Sequence, residues 1–374
     1  MTKKTAELFI KTVTKYNPLA IYIPGSPDPD AIASAYAIKI VLKYHAVESD
    51  IFTEKDLSLH QNKAFTNRLR IPLKIGKEIN LDRYQAYIVP DFQNNWIENV
   101  SDKIPCAAHI DHHRAAEAPV KAEFSLISTE AGSTSTLVAL IIKNLNLDLD
   151  EIEITAIATA LTFGIQTDTD KYDNITDLDF EALSYLSEHV DRDLLQGVNS
   201  TPLYPQTAEL YDRAIENELI YKDWAFYGLG YIDAKHRDSI AVTADKVLKS
   251  AEHKLVAVFA VIENHKKQET YLDVSLRTKD SNVDLNRIIK NITPNGGSRK
   301  YKGAYQVKLN YLKNTPDKDL LWQVVEAATL ETLRKSRDSF YLRGINRIYS
   351  SVRDKLRSIF TRRRIDNGEQ RELS

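Results

Sequence analysis

Leu19-Ala20-Ile21-Tyr22-Ile23 is a short apolar run, and Pro24-Gly25-Ser26-Pro27-Asp28-Pro29-Asp30 follows it directly. From Asp30 to His45, Ala31, Ala35, Ile38 and Leu42 then fall on one helical stripe. A brief apolar run, a turn rich in proline and carboxylates, and a helical pattern read as strand, loop and helix. The same grammar recurs downstream. Ile88-Val89-Pro90 ends at Asp91, and Ala107-Ala108-His109-Ile110 ends at Asp111-His112-His113. Ser133 to Leu145 and Glu151 to Gly164 read as further helices. Strands alternating with helices predict an α/β fold built on a parallel sheet, in which ligands gather at the carboxyl ends of the strands.

A chain of 374 residues implies two or three domains. Its formal net charge of −2 gives no global attraction to nucleic acid or membrane. The single cysteine, Cys106, excludes a disulfide framework and a cysteine-based zinc cluster, and reads as a half-buried structural residue. Met1-Thr2-Lys3-Lys4-Thr5 has no long apolar core behind it, and no apolar run approaches the ~18 residues of a membrane span. A cytoplasmic protein is expected.

Helical pattern continues through Asp177 to His189, and Gly197 to Pro202 reads as a polar linker. A second, smaller α/β domain is expected to begin with a helix around Thr207 to Leu219. Strand-like runs follow at Trp224 to Ile232, Leu255 to Ile262, Tyr271 to Arg277 and Tyr305 to Leu309. The expected division is 1–196, a linker over 197–206, a second domain over 207–333 and a basic tail over 334–374.

Carboxylates and imidazoles gathered at strand ends suit a hard divalent cation. A further acidic stretch, Gln166-Thr167-Asp168-Thr169-Asp170, reads as a loop after the apolar run Ile154 to Ile165. In order and spacing, these stretches resemble the four motifs of the DHH phosphoesterase family across about the first half of the chain. Asp28 and Asp30 match the first motif, Asp91 the second, Asp111-His112-His113 the third and Asp168 the fourth. The resemblance implies two manganese ions, or magnesium in their place, which can clamp a displacement at phosphorus. It implies that Asp91 bridges the ions, that Asp30, His112 and Asp168 complete one, and that Asp28 serves the other. His113 would face the substrate phosphate or hydrogen-bond around the ions, and Asp111 would orient a histidine ring.

The chain departs from this pattern at Pro24, where the family carries a histidine four residues before the first aspartate. Proline cannot ligate a metal, so one ion is expected to bind more weakly. His109 is one candidate replacement; a packed, hydrogen-bonded strand histidine is the alternative. A second departure lies in Asn295-Gly296-Gly297-Ser298-Arg299-Lys300-Tyr301-Lys302-Gly303, which resembles the glycine motif GGHxxAAG of a DHHA1-like substrate domain. Ser298 stands where that motif has its histidine. The resemblance implies that Gly296, Gly297, Ser298 and Arg299 approach the substrate and that Arg277 clamps a phosphate. A basic surface turn is the alternative.

The expected activity is hydrolysis of nucleotide phosphodiesters: short oligonucleotides, linear or cyclic dinucleotides, or 3′-phosphoadenosine-type nucleotides. A degenerate member that binds nucleotide, nucleic acid or a protein partner without turnover stays open, as does hydrolysis of pyrophosphate or polyphosphate. From Arg334 to Arg364 the chain is basic, with Ile345, Ile348, Tyr349, Val352, Leu356, Ile359 and Phe360 at helical offsets. Such a helix can contact anionic membrane, nucleic acid or a protein partner, or pack its stripe on the body. A homodimer is left open.

Overall fold

The computed structural model describes residues 1–339 except 58, 77–79, 94–96, 114–119, 251, 265–267, 295 and 299. Arg299 and most of the basic tail therefore lie outside the described residues. The chain divides into two compact units, Met1–Leu203 and Tyr204–Ser374.

In the first unit, α1 (Lys3–Val13) leads into β1 (Leu19–Ile23), α2 (Pro29–Tyr44) and β2 (Ser49–Thr53). There follow α3 (His60–Arg68), β3 (Leu73–Ile75), β4 (Ala86–Pro90), β5 (Cys106–Asp111) and β6 (Ala122–Ile127). Four helices complete it: α4 (Thr134–Leu145), α5 (Glu151–Asp168), α6 (Asp177–Leu186) and α7 (Arg192–Asn199). The six strands pair in the order β3-β2-β1-β4-β5-β6, every pair parallel.

Alternation along β1 shows why the sheet is buried on both faces. Leu19, Ile21 and Ile23 join one core with Ile38, Leu42, Leu140, Leu161 and Phe163 from the helices. Ala20 and Tyr22 join a thinner core on the other face with Tyr84, Tyr87, Ile97 and Val100. Cys106 belongs to that second core and is 5% exposed.

Strand order reverses between β1 and β4. Chain leaving β1 runs toward β2, and chain leaving β4 runs toward β5, so a crevice opens between the two carboxyl ends. Asp28 and Asp30 follow β1 and Asp91 follows β4, which places three of the acidic residues at that reversal.

The linker reading is corrected in part. Gly197 to Asn199 are the last residues of α7 rather than irregular chain. In the second unit, α8 (Pro205–Glu216) precedes β7 (Glu218–Tyr221), β8 (Trp224–Asp233), α9 (Ser239–Ser250), β9 (Leu255–Asn264) and β10 (Glu269–Thr278). After these come α10 (Leu285–Ile292), β11 (Gly296–Ser298), β12 (Lys302–Lys308) and a helix over 318–339. The strands form a mixed sheet in the order β11-β12-β10-β9-β8-β7, in which only β8 and β9 run parallel. Two cores cover its faces, one including α8 and α9, the other α10 and Leu321, Val325 and Leu333. Among the described residues, no helix is long and apolar enough to cross a membrane.

Candidate metal centre

Asp28 is the N-cap of α2: its side chain accepts from the Ala31 N–H at 2.9 Å, while Pro29 takes the first helical position, where no N–H is needed. Asp30, one residue further, is fully buried. Both of its carboxylate oxygens are held by the first turn of α4. The Thr134 N–H donates to Oδ2 at 2.8 Å and the Ser135 N–H to Oδ1 at 2.7 Å. These amides have no partner inside their own helix, and their end of the helix favours negative charge.

Asp91, the residue after β4, has φ +54°, a left-handed backbone that costs a non-glycine residue roughly 1–3 kcal/mol. Its N–H donates to the Ile110 carbonyl at 2.9 Å, and its Oδ1 accepts from the Thr134 hydroxyl at 3.2 Å. The turn aims the carboxylate at the end of β5. There Oδ1 lies 3.6 Å from His112 Nε2 and 3.4 Å from His113 Nδ1. Asp111 Oδ1 is closer to His113 Nδ1, at 2.7 Å, and also accepts from the His113 backbone N–H at 3.2 Å.

Asp168 corrects the sequence reading. Gln166 to Asp168 are not a loop but the last residues of α5, and the sharp reversal comes after them. Asp170, Lys171 and Tyr172 take φ of 54°, 62° and 73° in succession. The Lys171 N–H donates to Gln166 O at 2.7 Å and Asn174 N–H to Thr169 O at 3.0 Å, closing the turn. Asp168 Oδ2 comes to 2.9 Å from His112 Nε2.

Two overlapping groups result: Asp30, His112 and Asp168, and Asp91, His112 and His113, with ligand atoms in each within 4.8 Å of one another. Their electrostatics call for a cation. Burial and the neighbouring Asp168 push the Asp30 carboxyl up, to about 7, against the opposing pull of His112. Asp168 lies at a helix C-terminus, where the dipole disfavours a carboxylate. Asp111, by contrast, is held below the ordinary carboxylate range by its bonds to His113, which outweigh its burial. Oxygen and imidazole donors without a thiolate fit manganese or magnesium.

His109 stays outside both groups. It is 1% exposed, with Nε2 2.8 Å from the Phe92 carbonyl, so it is a packed strand histidine rather than a replacement for the ligand missing at Pro24. Two residues went unnoticed in the sequence. Thr134 touches both Asp30 and Asp91. Asp179, fully buried, accepts from Gly132 N, Thr136 Oγ1, Thr176 N and Thr176 Oγ1, and so fixes the chain entering α4. For Thr134 the one visible signal was the hydroxyl run Ser133-Thr134-Ser135-Thr136, which is compatible with helix capping; Asp179 had none.

In the second unit the glycine stretch is a hairpin. Gly296, Gly297 and Ser298 pair with Tyr305, Ala304 and Gly303. A Cβ on Gly296 would stand 2.6 Å from Tyr305 Cβ and 2.7 Å from Ile289 Cγ2, whereas one on Gly297 would meet nothing within 4 Å. Arg277, expected to clamp a phosphate, is 7% exposed. Its Nε donates to Asp245 Oδ1 at 2.5 Å and Nη1 to the Leu276 carbonyl at 3.0 Å. That geometry turns the guanidinium inward, because a buried charge needs a partner.

Residues 19–165 match the model of the DHH family, N-terminal domain. An uncharacterized protein of Methanocaldococcus jannaschii is 30% identical over 321 residues, 84% of this chain and 63% of that protein. The chain thus spans less than two thirds of that relative's length. An exopolyphosphatase-related protein from Bacteroides fragilis superposes with a TM-score of 0.66 at 18% identity, covering 91% of this chain and 98% of that one. At that identity the likeness is one of fold.

Proposed function

We propose that this DHH-domain protein is a divalent-metal-dependent phosphodiesterase acting on nucleotide phosphodiesters, with short oligonucleotides, dinucleotides and 3′-phosphoadenosine-type nucleotides as the substrate class. One observation carries the phosphoesterase chemistry: Asp30, Asp91, His112, His113 and Asp168 converge in two overlapping groups near the reversal of strand order. The narrowing to nucleotides rests on the resemblance of the Gly296–Gly303 stretch.

Asp30, His112 and Asp168 would hold one ion, and Asp91, grouped with His112 and His113, would reach a second together with Asp28. Two manganese ions would neutralise charge on the phosphoryl oxygens and acidify a water. The 2.7 Å contact of His113 Nδ1 with the Asp111 carboxylate would place the ring proton on Nδ1. His113 Nε2 is then the atom that can hydrogen-bond a phosphoryl oxygen or exchange a proton with the leaving group. Pro24 leaves the second ion one protein ligand short, so the two ions should differ in affinity.

The test is hydrolysis by the full chain, stripped with chelator and restored with manganese. The substrates are a dinucleotide, a short oligonucleotide and a 3′,5′-bisphosphate, beside pyrophosphate and polyphosphate. Manganese-dependent cleavage of a nucleotide substrate is expected. Phosphate release from pyrophosphate or polyphosphate alone would overturn the substrate class. Stoichiometric manganese binding without any turnover would favour the alternative, binding without catalysis. Pro24 and the inward-turned Arg277 are the observations that speak for it.

A further inference from the structure

Thr134 is fully buried at the first position of α4 and makes two contacts of different kinds. Its backbone N–H holds Asp30 Oδ2, and its hydroxyl donates to Asp91 Oδ1. The amide contact survives any substitution except proline. The hydroxyl contact is specific to Ser or Thr, and it falls on the carboxylate oxygen that lies between the two histidines. A carboxylate on a strained turn can rotate about its side-chain torsions. A directed donor favours the rotamer in which Oδ1 faces His112 and His113.

We propose that Thr134 is a positioning residue of the metal centre: its hydroxyl fixes the Asp91 carboxylate, while its amide fixes Asp30, so the first turn of α4 sets the spacing of the two metal-binding groups. This rests on the metal reading given above. Ser135 reinforces it from the neighbouring position, with its hydroxyl 3.4 Å from the Asp30 carbonyl oxygen. A merely structural Thr134 would affect folding and leave ion binding unchanged.

The test is calorimetric titration of manganese into the full chain, comparing wild type with Thr134→Val and Thr134→Ser, together with thermal unfolding of each in chelator. Valine keeps the shape and the amide but removes the donor. Thr134→Val should lose roughly 10–100-fold in affinity at one or both ions, the usual cost of removing a partner of a metal ligand, and Thr134→Ser should stay within about threefold of wild type. Unfolding midpoints in chelator should differ little. Wild-type affinity in Thr134→Val overturns the proposal, as does a loss in Thr134→Ser equal to that in Thr134→Val, which would point to packing. If Thr134→Val does not fold, Thr134→Ala against Thr134→Ser carries the same expectation. Failure of the wild-type chain to bind manganese at all overturns the metal reading itself and this proposal with it.

Discussion

Asp91 concentrates the strain and the charge of the centre in one residue. Its left-handed backbone is sustained by the Ile110 carbonyl and the Thr134 hydroxyl, and it belongs to the group that shares His112 with Asp30 and Asp168. Removing a ligand should cost more than the roughly 10–100-fold lost with an outlying partner. Asp91→Ala and His112→Ala are therefore expected to lower manganese-dependent turnover more than about a hundredfold; a steady-state assay showing near-normal rates would place the chemistry elsewhere. Asp30 supplies a second residue-scale expectation. Its carboxyl, raised to about 7, holds its proton in the folded chain at pH values where the unfolded chain has lost it. The unfolded state therefore binds fewer protons, and metal-free stability falls as pH rises from about 4 through 7. A bound cation needs the ionised form, so stabilisation by manganese should be small at pH 5 and grow toward pH 8. Thermal midpoints with manganese and with chelator at the two pH values measure it, and a gap that shrinks with pH would contradict the assignment of Asp30 as a ligand.

Elements were legible wherever the signal was local. Leu19–Ile23 is a strand with the bounds the apolar run suggests, because a five-residue apolar run stopped by a proline-rich turn is too short for a helix. Asp168 was not legible as a helix end. Threonine and aspartate favour turns in isolation, yet the buried face of α5 carries the helix through them. The glycine stretch shows the same limit. The sequence gives Gly296 and Gly297 one identity, while packing separates them: the first lies under Ile289 and Tyr305, the second opens to space. Gly296→Ala should therefore destabilise the second unit by about 1–3 kcal/mol, as overpacking does. Gly297→Ala should leave stability nearly unchanged, and any rise in KM for a nucleotide substrate would then report a substrate contact. Equal destabilisation of the two variants in urea unfolding would show that the hairpin's environment differs from this one.

At the scale of the molecule, the α/β class followed from alternation alone, but the meeting of the motifs did not. Asp30 and Asp91 are separated by two strands in sequence and become neighbours only because strand order reverses between β1 and β4. The hydroxyl run that opens α4 carried no sign of its role, because the carboxylates it serves come from elsewhere in the chain. All of the residues of both metal-binding groups lie within Met1–Leu203, which also closes its own hydrophobic clusters on both faces of its sheet. A unit with its own core can fold alone. Residues 1–203 expressed separately should unfold cooperatively and bind manganese with the stoichiometry of the full chain, while under the proposed substrate role of the glycine hairpin nucleotide hydrolysis should fall. Metal binding that requires the full chain would mean that a ligand comes from the second unit. Undiminished nucleotide hydrolysis by the isolated unit would remove the hairpin from the substrate site.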